Sequence, residues 1–165
     1  MESQNRKDKN NYYLDIADTV LIRGTCLRRN YGAIIVKNDE IISSGYTGAP
    51  RGRKNCSDLG KCQRDLMNVP RGTHYELCRS VHSEANAIIS ASRRDMLNST
   101  LYLVGRDAKT NEVVENANPC AMCKRMIINA GIERVVIRDS GSEYREIPVS
   151  VWIDYDDSLS GKLGY

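Results

Sequence analysis

No run of apolar residues in this chain approaches the ~18–20 that a membrane-spanning helix needs, although apolar residues make up 41% of its 165 positions. The first ten residues, MESQNRKDKN, are polar and no apolar block follows them, which argues against a secretory signal and predicts a cytoplasmic protein. Internal repeats and low-complexity segments are missing too. A strong excess of one charge is also absent: 24 Lys and Arg against 21 Asp and Glu leave +3 and a pI near 8.5. That falls short of the clustered charge and domain pI above ~9 expected of a nucleic-acid binder. Nucleic acid is therefore not expected as a partner, while a small anionic substrate suits the balance. Histidine is scarce, with only His74 and His82.

What the chain does have is cysteine, at positions 26, 56, 62, 78, 120 and 123. In a small secreted protein these would read as disulfides. Here 165 residues suffice for a single domain with its own hydrophobic core, so the chain needs no staples. With no export signal, metal binding or catalysis is the better reading of the thiols.

A polar tail over residues 1–10 precedes one apolar helix face made by Tyr13, Ile16, Ala17, Val20 and Leu21. YGAIIVK and EIISSGY are two β-rich runs around a turn at Asn38-Asp39. Residues 47–79 form a long Gly-, Pro-, Arg- and Cys-containing insert with little periodicity, and a loop of that length is usually functional or held by something other than packing. VHSEANAIISASRRD reads as one helix with Ala85, Ile88, Ile89 and Ser92 inward. The strand STLYLVG follows, then the helix PCAMCKRMIINAG, with Pro119 at its first turn and Gly131 past its end, and then the strand IERVVIRD. Strand–helix–strand order predicts an α/β domain with helices on both faces of a sheet. The acidic IDYDDS segment is expected to be exposed.

Cys120 and Cys123 stand at i and i+3 where a helix begins, so their sulfurs share one side and the helix N-terminus favours thiolates. His82, opening the other helix, is the expected third ligand of a zinc ion. Three protein ligands leave a tetrahedral position for water, whose pKa zinc lowers to about 7. Glu84, two residues on, is too close to chelate the same ion well and is placed instead to shuttle a proton. The order H-x-E and then P-C-x-x-C matches the signature of zinc nucleobase deaminases. A lone C-x-x-C could be a redox pair and a lone His a satisfied polar residue; their combination at two helix starts favours the catalytic site over a structural one.

Residues 19–140 resemble the deoxycytidylate (dCMP) deaminase family, in its bacterial or phage form. The resemblance is carried by YGAIIVKNDEIISSGYTGAPRG, YELCRSVHSEANAI and NPCAMCKRMIINAGIERVVI. It implies a three-layer α/β/α fold with a mixed five-stranded sheet, zinc on His82, Cys120 and Cys123, Glu84 as catalytic proton shuttle, and conversion of dCMP to dUMP and ammonia. It also implies a homo-oligomer, with a hexamer favoured, and regulation by dCTP with Mg²⁺ and by dTTP. Thr47, Gly48, Arg51, Arg53, Ser83 and Asn86 fall in the stretches linked to substrate or effector, and Tyr155 matches an aromatic that approaches substrate. Thr47 departs from the family's common Asn. Arg28, Arg29 and Lys54 join Arg51 and Arg53 as phosphate candidates.

Cys56, Cys62, His74 and Cys78 lie in the insert, and three thiols with one imidazole suit a closed structural zinc site. Some members of the resembling family carry such a zinc, with a His where this chain has Tyr75. Cys26 is read as a core residue. Two other functions compete: a tRNA adenosine deaminase or other base deaminase, which should show a stronger basic face, and a catalytically silent zinc-binding accessory protein, in which Glu84 would have no use.

Overall fold

The structure is a computed structural model and describes residues 6–161. Strands β1 (Arg29–Lys37) and β2 (Glu40–Tyr46) form the expected hairpin. Asn38 and Asp39 turn it with φ of 52° and 62°, the left-handed pair that a two-residue hairpin loop requires. With β3 (Thr100–Asp107), β4 (Arg134–Ser140) and β5 (Glu143–Pro148) they make one five-stranded sheet in the order β2-β1-β3-β4-β5. Only β3 and β4 run parallel, so the sheet is mixed.

Helix α1 (Lys9–Leu21) begins inside the predicted tail, with Asp8 accepting from the Asn11 amide as its N-cap. Residues 1–5 of that tail lie outside the described residues. The helix covers one face of the sheet, packing Tyr13, Leu14, Ala17 and Leu21 on Ile34, Val36, Tyr102, Val104 and Val136. The other face buries Ala33, Ile35, Leu101, Leu103, Val135 and Ile137 with Ala87 of α4 (Ser83–Ile89) and Ile127 of α6 (Ala121–Ala130). The expected three layers follow from this alternation along each strand.

Two glycines set how close the helices come. A Cβ on Gly32 would lie 2.1 Å from the Ala17 carbonyl oxygen on the α1 side, and one on Gly45 would lie 2.3 Å from the Ser83 carbonyl oxygen and 2.4 Å from the Ala87 nitrogen on the α4 side. Any side chain there would push a helix backbone off the sheet.

The helix expected over 81–95 is two. It stops at Ile89 and restarts as α5 (Arg93–Met96), because Ser92 spends its hydroxyl accepting from the Asp95 amide as an N-cap. Ile89, expected inward, is 73% exposed. The insert is not bare loop: it holds two single-turn helices, α2 (Cys56–Leu59) and α3 (Gln63–Leu66), and a 3-10 turn at Tyr75–Leu77. Beyond β5, α7 (Ser150–Asp154) leads into the exposed acidic stretch. No helix among the described residues is long and apolar enough to cross a membrane.

Candidate metal centre

Two helix starts face each other on the α4–α6 side of the sheet. His82 is the N-cap of α4, in extended backbone (φ −69°, ψ 154°), so its ring projects before the helix begins. Cys120 is the N-cap of α6, directly after the buried Pro119, and Cys123 lies in the first turn. His82 Nδ1 stands 3.4 Å from Cys120 Sγ and 3.5 Å from Cys123 Sγ. The Cys123 amide donates to Cys120 Sγ at 3.4 Å, as expected of a helix start that favours a thiolate. The ligand atoms of all three residues lie within 4.8 Å of one another, a cluster that could hold a metal ion. One imidazole nitrogen and two sulfurs are the donor types zinc prefers.

The electrostatics of the metal-free chain express the same clustering. Hydrogen bonding with Cys123 and with His82 holds the Cys120 thiol below its ordinary range despite burial, while Cys120 and burial push Cys123 up. Burial alone would lower the His82 pKa, but hydrogen bonds with Cys120 and Cys78 and the charge of Glu84 outweigh it and raise it to about 10. In the metal-free chain the negative charge thus sits on Cys120, and the His82 imidazole balances it.

Glu84 sits in the first turn of α4 and is 4% exposed. Burial raises its carboxyl above the usual range, with the His82 charge opposing. Ser83, fully buried, donates its hydroxyl to Glu84 Oε2 at 2.9 Å. Ser83 therefore orients the carboxyl from beside it. Asn86 turns its amide to the Tyr46 carbonyl at 2.8 Å, tying α4 to the end of β2.

The other predicted positions fall in several places. Thr47 is buried, and its hydroxyl oxygen accepts from the Tyr31 amide at 3.1 Å, so its one polar group serves the backbone. Gly48 pairs through its backbone with Val81, next to His82. Arg29, Arg51, Arg53 and Lys54 are exposed, and Arg28 is half-buried near Asp65. Tyr155, at the end of α7, is 79% exposed. Two surface clefts, of about 460 and 320 Å³, lie elsewhere: neither is lined by His82, Glu84, Cys120 or Cys123.

No three of Cys56, Cys62, His74 and Cys78 come within 4.8 Å of one another. His74 is exposed, in left-handed backbone (φ 49°), with Nδ1 2.9 Å from Glu76. Cys56 is buried with its sulfur 4.0 Å from the Ser80 hydroxyl, and it feels the charges of Cys26, Cys78 and Cys62. Cys26 is half-buried rather than core and accepts from the Arg28 amide. Cys78 interacts with His82, which helps hold its thiol below the ordinary range against burial.

Sequence reasoning missed Tyr31. Its phenol is pushed up to about 12, chiefly by burial, and it feels the charges of Glu84 and Tyr75. Its only signal was a tyrosine opening an otherwise aliphatic strand. Tyr75 was noticed only as a substitution, yet its ring meets that of His82 edge-on, with centroids 5.5 Å apart and planes at 88°.

The family described as the cytidine and deoxycytidylate deaminase zinc-binding region matches residues 7–139. A deoxycytidylate deaminase of Mycobacterium phage D29 is 38% identical over 136 residues, covering 79% of this chain and 94% of that protein. One of Schizosaccharomyces pombe is 28% identical over 135 residues, covering 82% of this chain but only 38% of that longer protein. Among solved structures, the dCMP deaminase of cyanophage S-TIM5 in apo form superposes with a TM-score of 0.56 at 25% identity, covering 82% of this chain and 86% of that one.

Proposed function

This chain belongs to the cytidine and deoxycytidylate deaminase zinc-binding family, and from that premise we propose that it hydrolyses dCMP to dUMP and ammonia. The observation that carries the reading is the meeting of His82 Nδ1, Cys120 Sγ and Cys123 Sγ beside a buried Glu84. The phage relative, matched over nearly its whole length, supports dCMP as the substrate.

His82, Cys120 and Cys123 would hold the zinc, which when bound by three protein ligands supplies the Lewis acidity that makes water a nucleophile near neutral pH. Glu84 does the proton work. With Ser83 fixing Oε2, the carboxyl accepts a proton from the attacking water, delivers it to the ring nitrogen of cytosine, and carries a second to the departing amine. Water is consumed and ammonia leaves, so protons balance and Glu84 ends as it began. The raised pKa that burial gives Glu84 suits a group that must both take and give a proton.

The proposal extends to the phosphate, for which the exposed Arg29, Arg51, Arg53 and Lys54 are the candidate donors. A second zinc would draw on the thiols around Cys56 rather than on His74, which turns to Glu76. Metal analysis tests it: two zincs per chain falling to one in Cys62→Ser support it, and one in both reject it. The proposed enzyme is a homo-oligomer controlled by dCTP with Mg²⁺ and by dTTP.

Incubation with dCMP, cytidine, deoxycytidine and an adenosine-containing RNA stem-loop tests the reading. Ammonia release confined to dCMP is the expected result. Conversion of the RNA alone would transfer the chain to base editing of RNA, and zinc binding without turnover would make it a silent module.

A further inference from the structure

The largest unexplained feature outside the metal centre is a buried arginine. Arg64, on α3 within the insert, is 5% exposed, where arginines seldom lie without a carboxylate partner. Its guanidinium instead stands 4.2 Å over the centroid of the Tyr75 ring. Its Nη2 donates to the Thr73 carbonyl at 2.8 Å and to the Pro70 carbonyl at 3.4 Å. Its Nε has no partner among the described residues. Tyr75 in turn meets His82 edge-on at 5.5 Å. Arginine, tyrosine and histidine thus form a continuous stack running from the insert to the metal centre.

We propose that Arg64 and Tyr75 are positioning residues, a brace through which the insert fixes the His82 ring so that Nδ1 faces Cys120 and Cys123. The proposal rests on the reading of His82 as a zinc ligand. His82 is an N-cap in extended backbone, so its ring projects before the helix begins. An aromatic edge-to-face contact resists rotation of the imidazole, and a cation over the other ring's face holds the tyrosine in place. The insert cannot supply that order from secondary structure, because its helices are single turns of four residues, far below the length at which a helix is stable alone. Arg64 does the gathering: one side chain binds two carbonyls of the 70–73 turn and the ring two residues further on. Asp65, next to it, ties α3 to Arg28 at 3.5 Å at the start of the hairpin.

The test is zinc affinity of the full chain by chelator competition, with the visible spectrum of the Co²⁺-substituted protein as a report on ligand geometry. Arg64→Met and Tyr75→Leu are expected to weaken zinc binding by about 10–100-fold, the range that loss of outer support costs a metal site, and to change the Co²⁺ bands. Tyr75→Phe keeps the ring and is expected to restore both. If Arg64→Met does not fold, Tyr75→Leu, at a half-buried position, carries the test alone. Unchanged affinity and spectrum in Tyr75→Leu would overturn the brace, even in an active enzyme. Failure to turn over dCMP would instead strike the substrate reading, since the brace is read out by metal affinity and not by turnover.

Discussion

Ser83 Oγ donates to Glu84 Oε2 at 2.9 Å, and both side chains are buried in the first turn of α4. One carboxylate oxygen is thereby held. Glu84 is not among the clustered ligand atoms, so its removal should separate metal binding from chemistry. Glu84→Ala is expected to keep its zinc and lose about 10²–10⁴ in turnover, the usual worth of a positioned acid–base group. Steady-state kinetics on dCMP with metal analysis of the same preparation checks both halves. Normal turnover would take Glu84 out of the mechanism.

Gly45 fixes the height of α4 above the sheet. Its missing side chain leaves room for the Ser83 carbonyl and the Ala87 nitrogen, both backbone atoms that cannot swing aside. Gly45→Ala should therefore lift the helix start that carries His82 and Glu84. The expected outcome is a loss of about 1–3 kcal/mol of stability, typical of overpacking, together with weaker zinc binding. Urea denaturation and chelator competition measure the two effects, and a stable variant with wild-type affinity would show that the helix has slack.

What was readable in advance was local. C-x-x-C after a proline and H-x-E before an apolar run place candidate ligands and a candidate acid–base group at two helix starts, and Gly131 past α6 adopts the left-handed backbone (φ 79°) its position demands. The apolar runs YGAIIVK and STLYLVG likewise marked β1 and β3. Three things were not readable, each for a physical reason. The 81–95 periodicity ran through Ser92 because spacing does not reveal that a serine hydroxyl will cap a new helix. His74 looked like a ligand because ligand type was the only criterion, whereas its backbone conformation and a nearby Glu76 turn it away. Arg64 and Tyr75 stand 18 and 7 positions before His82, and nothing periodic links them.

Thr47 illustrates a polar side chain whose work is structural. Its hydroxyl oxygen accepts from the Tyr31 amide, and its own amide donates to the Tyr31 carbonyl at 3.1 Å. Thr47→Val keeps the shape and strands the Tyr31 N–H, an expected cost of about 1–3 kcal/mol. Thr47→Ser keeps the acceptor and should cost under about 1 kcal/mol. Chemical denaturation distinguishes them; equal stability in all three proteins would release the hydroxyl for a role in binding.

Acid should act partly through α1. The Asp15 carboxyl lies below the ordinary carboxylate range, first because Lys7 donates to it and then, against burial, because Arg138 donates at 2.8 Å. A carboxyl with a depressed folded-state pKa gives its full stabilisation above its unfolded value of about 4 and loses it as pH falls through the folded value. Stability is therefore expected to decline on the acid side of about pH 4, and Asp15→Asn should flatten that decline while lowering stability at pH 7. The effect is modest, since the Asp15 side chain is 43% exposed and screened by solvent. Denaturation midpoints across the acid range check it, and an unchanged acid slope in the variant would assign the loss to other carboxylates.

Chelation should loosen the contact between α4 and α6. The ligand atoms come from two helix starts 38 residues apart in sequence, and on the metal-free chain the Cys120 thiolate is balanced by the His82 imidazole alone. An ion held by all three would join the helices and bind the folded state more tightly than the unfolded chain. Its stabilisation follows mass action, about 4 kcal/mol when free zinc exceeds its dissociation constant a thousandfold. Removing it with a strong chelator is expected to lower the thermal midpoint, and re-adding Zn²⁺ to restore it. Cys123→Ser, which removes one of the two sulfurs, should show a much smaller zinc-dependent shift. Calorimetric scans with and without chelator provide the measurement. A midpoint indifferent to zinc in the wild-type chain would mean that the three side chains do not grip an ion, and the deaminase chemistry built on them would fall with it.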